Sequence, residues 1–208
     1  MNEVHTLLLR FEGPMQSWGY RSRFDYRDTA LEPTRSGVIG LICAAMGIAR
    51  GEDISRFNGI QMGVRVDKEG RPERDYHTAL DVIKADGSGN DTVVSYRDYL
   101  ADASFTVGLQ SLRLSLLRDI ESALRNPRWP LFLGRKAFPL AVPPVEPSNS
   151  IKPGTLEEHL LSAEPAKRVV FETAEGERIQ WDWPLCFRER RFKSRCIHTQ
   201  SEGKGEPE

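Results

Sequence analysis

The 208-residue chain contains no apolar run near the ~20 residues that a membrane-crossing helix requires. Its one apolar stretch close to the start, Val4 to Phe11, is interrupted by Arg10 and followed by Glu12, so it does not read as a secretory leader. Cysteine is scarce. Cys43, Cys186 and Cys196 form no C-x-x-C pair, and an odd number of thiols fits a reducing compartment better than a disulfide framework. Histidine is scarce too: His5, His77, His159 and His198 make no H-E-x-x-H, and Cys196 and His198 have only Cys186 nearby, too few ligands for zinc. There is no Walker A sequence, no G-x-G-x-x-G turn and no G-x-S-x-G elbow. These absences exclude the common metal, nucleotide and hydrolase signatures. No cofactor is expected, and the expectation is a soluble cytoplasmic protein without membrane contact.

The chain also lacks a charge excess. Lys plus Arg total 29 against 30 Asp plus Glu, a net charge of −1. Nucleic-acid-binding domains are usually basic, so the total alone argues against such a partner. The cations are nevertheless unevenly chosen, with 22 Arg and only 7 Lys. Arginine grips phosphate with a planar fork and stacks on bases, whereas lysine is a point charge. Codon usage in a GC-rich genome gives the same excess.

Alternation and helical spacing divide what is there. Val4 to Phe11 reads as a central strand, ended by Gly13 and Pro14. Val38, Leu41, Ile42, Ala45, Met46 and Ala49 fall on one face of a helix, with Thr34 or Ser36 as N-cap and Gly51 as its stop. Ile60 to Val66 alternates as a strand, and Phe105, Val107 and Leu109 alternate as another. Between them, from Asp67 to Asp102, a long hairpin carries its turn at Gly87-Ser88-Gly89-Asn90-Asp91. A second helix, Leu112 to Leu124, ends before Pro127, and Leu131 to Leu133 reads as a short strand. The order is βαββαβ, so the fold expected is α+β: a ferredoxin-like or RRM-like domain with an inserted hairpin. The Pro-rich stretch 139–153 marks a boundary, after which Arg168 to Thr173 and Arg178 to Trp183 form a small C-terminal β region. The expected organisation is a domain over 1–144 with its insertion at about 67–102, a β region over 145–198 and a frayed tail over 199–208.

Four segments carry binding chemistry. The loop from Trp18 to Arg27 interleaves Trp18, Tyr20, Phe24 and Tyr26 with Arg21, Arg23 and Arg27, a composition suited to stacking unpaired bases and holding phosphates. Trp18 and Phe24 taken singly also fit as core anchors of a long loop. The helix start Pro33-Thr34-Arg35-Ser36-Gly37 offers free N–H groups and a positive dipole end. Capping explains Thr34 or Ser36, but Arg35 is unfavourable there unless an anion or a carboxylate offsets it. Gly134-Arg135-Lys136 can wrap a phosphate backbone, or can be a turn with two solvated charges. Arg188 to Arg195 can contact phosphates, or can guard a strand edge. His77, beside Tyr76, is the only histidine in a functional setting, and no second histidine stands near it for acid–base work.

Several runs also carry a family resemblance. Leu9-Arg10-Phe11-Glu12-Gly13-Pro14-Met15-Gln16-Ser17-Trp18-Gly19 resembles the opening strand and loop of the crRNA 5′-handle-binding subunits of type I-E CRISPR Cascade complexes, the CasD family of the RAMP superfamily. Glu32 to Leu41 resembles that family's Pro-Thr-Lys/Arg-Ser-Gly helix start. Tyr76-His77-Thr78, Tyr96 to Ala103 and Leu131 to Lys136 follow in the family's order. The resemblance implies a ferredoxin-like domain whose thumb is the 67–102 hairpin. It also implies a non-catalytic role in capping the crRNA 5′ handle. The implied neighbours are the Cascade backbone subunits and the large PAM-reading subunit, with target DNA engaged through the complex. Arg35, Ser36, Tyr76, His77, Arg97, Tyr99, Arg135 and Lys136 fall on family motif positions; with Trp18, Arg27, Gly37 and Gly134 they form the expected RNA-binding set.

Two other readings compete. Type I-C relatives of the family are metal-independent endoribonucleases, and His77 would then serve as acid or base. A generic RRM-like binder of single-stranded RNA would carry aromatics on its central strands, where Ser104 to Leu109 offers only Phe105. The neutral total fits the first reading. A protein that slides along any duplex needs a large positive field, whereas one that grips a short handle between subunits needs only a few placed donors.

Overall fold

The computed structural model describes residues 3–21, 25–162 and 168–201. Its strands, in chain order, are β1 (His5–Glu12), β2 (Met15–Gln16), β3 (Tyr26–Arg27), β4 (Gln61–Lys68), β5 (Arg71–Ile83), β6 (Asn90–Ala101), β7 (Ser104–Ser111), β8 (Ile151–Pro153), β9 (Arg168–Thr173), β10 (Arg178–Cys186) and β11 (Arg191–Ser201). The helices are α1 (Arg35–Met46), α2 (Leu114–Arg125) and α3 (Leu156–Leu160). The fold is mixed α and β, mostly strand with few helices. No helix among the described residues is long and apolar enough to cross a membrane.

A seven-stranded sheet runs in the order β10-β11-β9-β4-β7-β1-β8, each neighbouring pair antiparallel. β1 lies inside it because Leu7, Leu9 and Phe11 make one face apolar while Thr6 and Leu8 are covered on the other. Leu7, Leu9 and Phe11 are fully buried in the main core with Val38, Ile42, Leu117 and Ile120 of the helices. Each such side chain contributes about 1.5–3 kcal/mol by leaving water. Leu8 points the other way, into a smaller cluster with Leu156, Leu160, Val169 and Phe171 beneath α3. Gly63 and Gly108 face each other across β4 and β7. A Cβ on them would come within 2.7 and 2.5 Å of Leu160 and Leu156, so their bareness seats α3 on the sheet.

Three expectations change. α1 stops at Met46 and not near Gly51, because Gly47 takes a left-handed φ of 72° and returns its N–H to the Ala44 and Cys43 carbonyls. Leu131 to Leu133 is not a strand: Phe132 makes only an isolated bridge to Pro139, and β8 takes the place beside β1. From Arg168 onward there are three strands where two were expected, since Arg191–Ser201 runs between β9 and β10 and pairs with both. Ser201 faces Arg168, so residues 199–201 of the expected tail are strand, while 202–208 lie outside the described residues.

Within the expected 67–102 insertion lies a hairpin. β5 and β6 pair from Arg71 opposite Ala101 to Ile83 opposite Asn90, turning through Gly87 and Gly89, both at positive φ. Its far end buries little, with Leu80 72% and Ile83 74% exposed.

Candidate nucleic-acid interface

The loop after β1 is laid along the base of the hairpin. β2 pairs with Leu100 and Ala101, and β3 runs parallel to β6 with Tyr26 beside Tyr96 and Arg27 beside Arg97. Between these ties sits Trp18, only 1% exposed. Its indole stacks on Phe11 at 5.6 Å and donates to Gln16 Oε1 at 3.2 Å. Gly37 is bare for this ring, since a Cβ there would lie 2.8 Å from Trp18 Cε3. Trp18 is thus the core anchor of the loop and not an exposed stacking ring. Ser22, Arg23 and Phe24, part of the aromatic–arginine run, lie outside the described residues.

The second part is the turn after Leu133. Gly134 has a φ of 89°, and a Cβ on it would fall 1.7 Å from the Ser17 carbonyl oxygen. The turn and the loop are therefore in backbone contact, with Ser17 N–H donating to Leu133 O at 3.0 Å. This delivers Arg135 to the hairpin base, where its Nη2 donates to Asp98 O at 2.7 Å and to Arg27 O at 3.3 Å. Its guanidinium also lies 5.5 Å from the Phe138 ring, against which Tyr99 packs. Arg27, Arg97 and Arg135 thus converge from three segments. Burial, then the neighbouring Arg97, holds Arg135 below the usual arginine pKa, with Arg27 adding to the shift; Asp75 and Asp98 oppose it. Same-sign charges brought together in this way favour an anion. Lys136 lines an adjoining, more apolar groove with Trp129, Ala44 and Ile48.

The start of α1 is the third part. Thr34 caps it, its Oγ1 accepting from Gly37 N–H at 3.3 Å. The Arg35 side chain is not at the surface. It is 1% exposed, donates to both Glu172 oxygens at 2.8 Å and to the Phe57 and Ile60 carbonyls, and lies 3.6 Å from the Trp183 ring. Its backbone N–H goes to Asp182 Oδ2 at 2.8 Å, and Arg195 joins Asp182 to Glu172 at 2.6 and 3.1 Å. The anion that makes an arginine tolerable at this dipole end is therefore a carboxylate of the protein. A direct phosphate contact by Arg35 does not fit this burial. Arg195 belongs to the same interior network, which removes it from the basic surface cluster.

On the hairpin, strand alternation separates neighbours in sequence. Tyr76 meets Tyr96 edge-on at 5.4 Å, on the face where Arg74 pairs with Asp98 at 2.7 Å and Tyr26 donates to that carboxylate. His77 lies on the other face, 3.8 Å from Asp75, in the row that also carries Arg97 and Tyr99. Among the described residues, no group of three or more His, Cys, Asp or Glu side chains could hold a metal.

The loop, the turn and the start of α1 line a groove of about 350 Å³. Trp18, Thr34, Ser36 and Gly37 line it together with Arg27, Gly134 and Arg135. Arg50, Trp181, Phe187, Arg190 and Phe192 also line it, and none of them was in the expected set. The available signal was in the C-terminal cluster, where Phe187 and Phe192 interleave with arginines as the aromatics of the first loop do.

Residues 6–199 match the family described as CRISPR-associated protein (Cas_Cas5). The chain is 33% identical to the CRISPR system Cascade subunit CasD of Escherichia coli (strain K12), over 91% of this chain and 92% of that protein. A chain of a solved CRISPR RNA-guided surveillance complex superposes with a TM-score of 0.82 at 31% identity, covering 97% of this chain and 95% of its own length. A crystal structure of a Cas protein is similar at a TM-score of 0.74 and 40% identity, covering 94% of both chains.

Proposed function

Because the chain belongs to the CRISPR-associated Cas5 family, we propose that it is a Cascade subunit that holds the 5′ handle of the crRNA in the arginine-lined groove, without cleaving it. The observation that carries this reading is the convergence of Arg27, Arg97 and Arg135 beside the start of α1, a cluster that a phosphate would neutralise. Ser36, Gly37 and Gly134 shape the groove, and Trp18 and Arg35 hold the loop and the start of α1 that line it. Tyr76, His77, Tyr99 and Lys136 extend the contact surface along the hairpin and the turn.

The strand order β8-β1-β7-β4, with α1 after β1 and α2 after β7, supports a ferredoxin-like reading of residues 1–144, to which β8 adds the last strand. The hairpin is its thumb, and, apart from β8, residues 145–198 form the accessory β region. The partners are the backbone and large PAM-reading subunits, with target DNA met through the complex.

The test is co-expression with the partner proteins and a repeat-containing RNA, followed by 5′-end mapping of the RNA that co-purifies. A single defined 5′ end is expected, with retention reduced by the double substitution Arg97→Ala and Arg135→Ala. Purification without RNA of defined end would overturn the reading. Incubation with repeat RNA in EDTA tests the non-catalytic part. Cuts within the repeat that vanish in His77→Ala would make the protein an endoribonuclease.

A further inference from the structure

The hairpin formed by β10 and β11 does more than widen the sheet. Along β10, Gln180, Asp182 and Pro184 are buried while Ile179, Trp181 and Leu185 are exposed. Asp182 is fixed from two sides, by the Arg35 N–H at the start of α1 and by Arg195. With the inner face locked, Trp181 on the outer face is held at the rim of the groove, 62% exposed. Phe187 and Phe192 line the same groove, edge to face at 6.5 Å. Arg188 N–H donates to Arg50 O at 2.9 Å, joining this hairpin to the segment after α1.

The segments that line the groove thus differ in chemistry: the loop and the turn bring Arg27 and Arg135, whereas the β10–β11 hairpin and the segment after α1 bring aromatic faces with Arg190 and Arg50. Among the described residues, four arginines line the groove against one acid, Asp28, so its charge complements a polyanion. An exposed indole beside arginines is the composition on which unpaired bases stack. Resting on the RNA-binding reading above, we propose that Trp181, backed by Phe187 and Phe192, is the stacking wall for an unpaired nucleobase, with Arg190 and Arg50 holding the adjoining phosphates. The RNA then runs between this wall and the Arg27–Arg97–Arg135 side. The contact tolerates any base, because every base offers a π face.

The test uses the full-length chain and two fluorescent probes, a short single-stranded oligoadenylate and an abasic oligonucleotide of equal length. Trp181→Ala is expected to weaken oligoadenylate binding about tenfold. It should leave both the abasic probe and the salt dependence unchanged, and Trp181→Phe should restore most of the loss. Equal weakening of both probes, or no weakening, would overturn the stacking role. So would intact RNA binding combined with lost assembly onto partner proteins, which would make Trp181 a protein contact. Failure of the unsubstituted chain to bind either probe would overturn the RNA reading on which this rests. Melting curves check that both variants fold, as expected for a side chain this exposed.

Discussion

Two sets of arginines lie close together in this molecule and live by opposite electrostatics. In the interior, Arg35 and Arg195 share Glu172 and Asp182, and every charge there has an opposite one within 3.1 Å. At the hairpin base beside the groove, Arg97 donates to the Ser95 hydroxyl and Arg135 to two backbone carbonyls, Arg27 stands next to them, and Arg135 is pushed down by burial and then by its like-charged neighbours. The first set has spent its charge on the fold. The second keeps charge available for something that arrives. An arginine in a binding motif is therefore a ligand contact only if the fold brings no carboxylate to it, and here that carboxylate stands 137 residues away in sequence.

The comparison breaks most visibly at Arg35. Replacing it by Met leaves Glu172 buried with two of its four hydrogen bonds, and breaking a buried pair of this kind costs about 3–5 kcal/mol. A large fall in the urea midpoint is expected, with RNA affinity lost only as the folded fraction falls. Unchanged stability with reduced affinity in Arg35→Met would move Arg35 into the groove set.

Gly134→Ala comes next. The substituted side chain meets the Ser17 backbone at a φ of 89°, and strain of this kind costs about 1–3 kcal/mol. The turn must then leave the loop, taking Arg135 with it. Both the thermal midpoint and RNA affinity are expected to fall, which distinguishes this position from either arginine set.

Arg135→Ala should do the reverse of Arg35→Met. RNA affinity falls while the melting curve stays in place, and the slope of log affinity against log salt drops by about one, as for the loss of one phosphate contact. An unchanged slope would show that Arg135 serves its carbonyl acceptors and no phosphate.

The sequence made some of this legible and hid the rest for physical reasons. β1, β4, β7 and both long helices carry periodic apolar residues, so their burial was written in their spacing. β8 is three residues ending in proline, and no pattern can announce a strand that short. β11 is polar at most positions, with only Arg195 and Ile197 buried, because its inward charge is neutralised from β9 and β10. The same long-range pairing hid the fate of Arg35, although its place at a helix N-terminus did require an anion. Trp181 was invisible as a site residue because nothing local says which side of β10 faces inward; Asp182 decides that by reaching the start of α1.

The smallest effect lies at the hairpin base, where one ion pair of the surface kind can be read against pH. Arg74 donates to the Asp98 carboxylate, holding it below the ordinary aspartate value of 3.8; partial burial opposes this, and the Tyr26 hydroxyl adds to the lowering. The folded value is depressed, so the stabilisation is fully present above the unfolded value and is lost as pH falls through the lower folded one. Wild type and Asp98→Asn should therefore melt a small, constant interval apart from pH 8 to about 5 and converge only in stronger acid. The interval is small because Arg74 is exposed and water screens the pair. The same carboxylate is one of two acids that offset the repulsion among the groove arginines. Asp98→Asn should thus strengthen RNA binding slightly at neutral pH while weakening the fold slightly. Opposite signs in the two measurements would place Asp98 between the two regimes, and a matched loss in both would assign it to the fold alone.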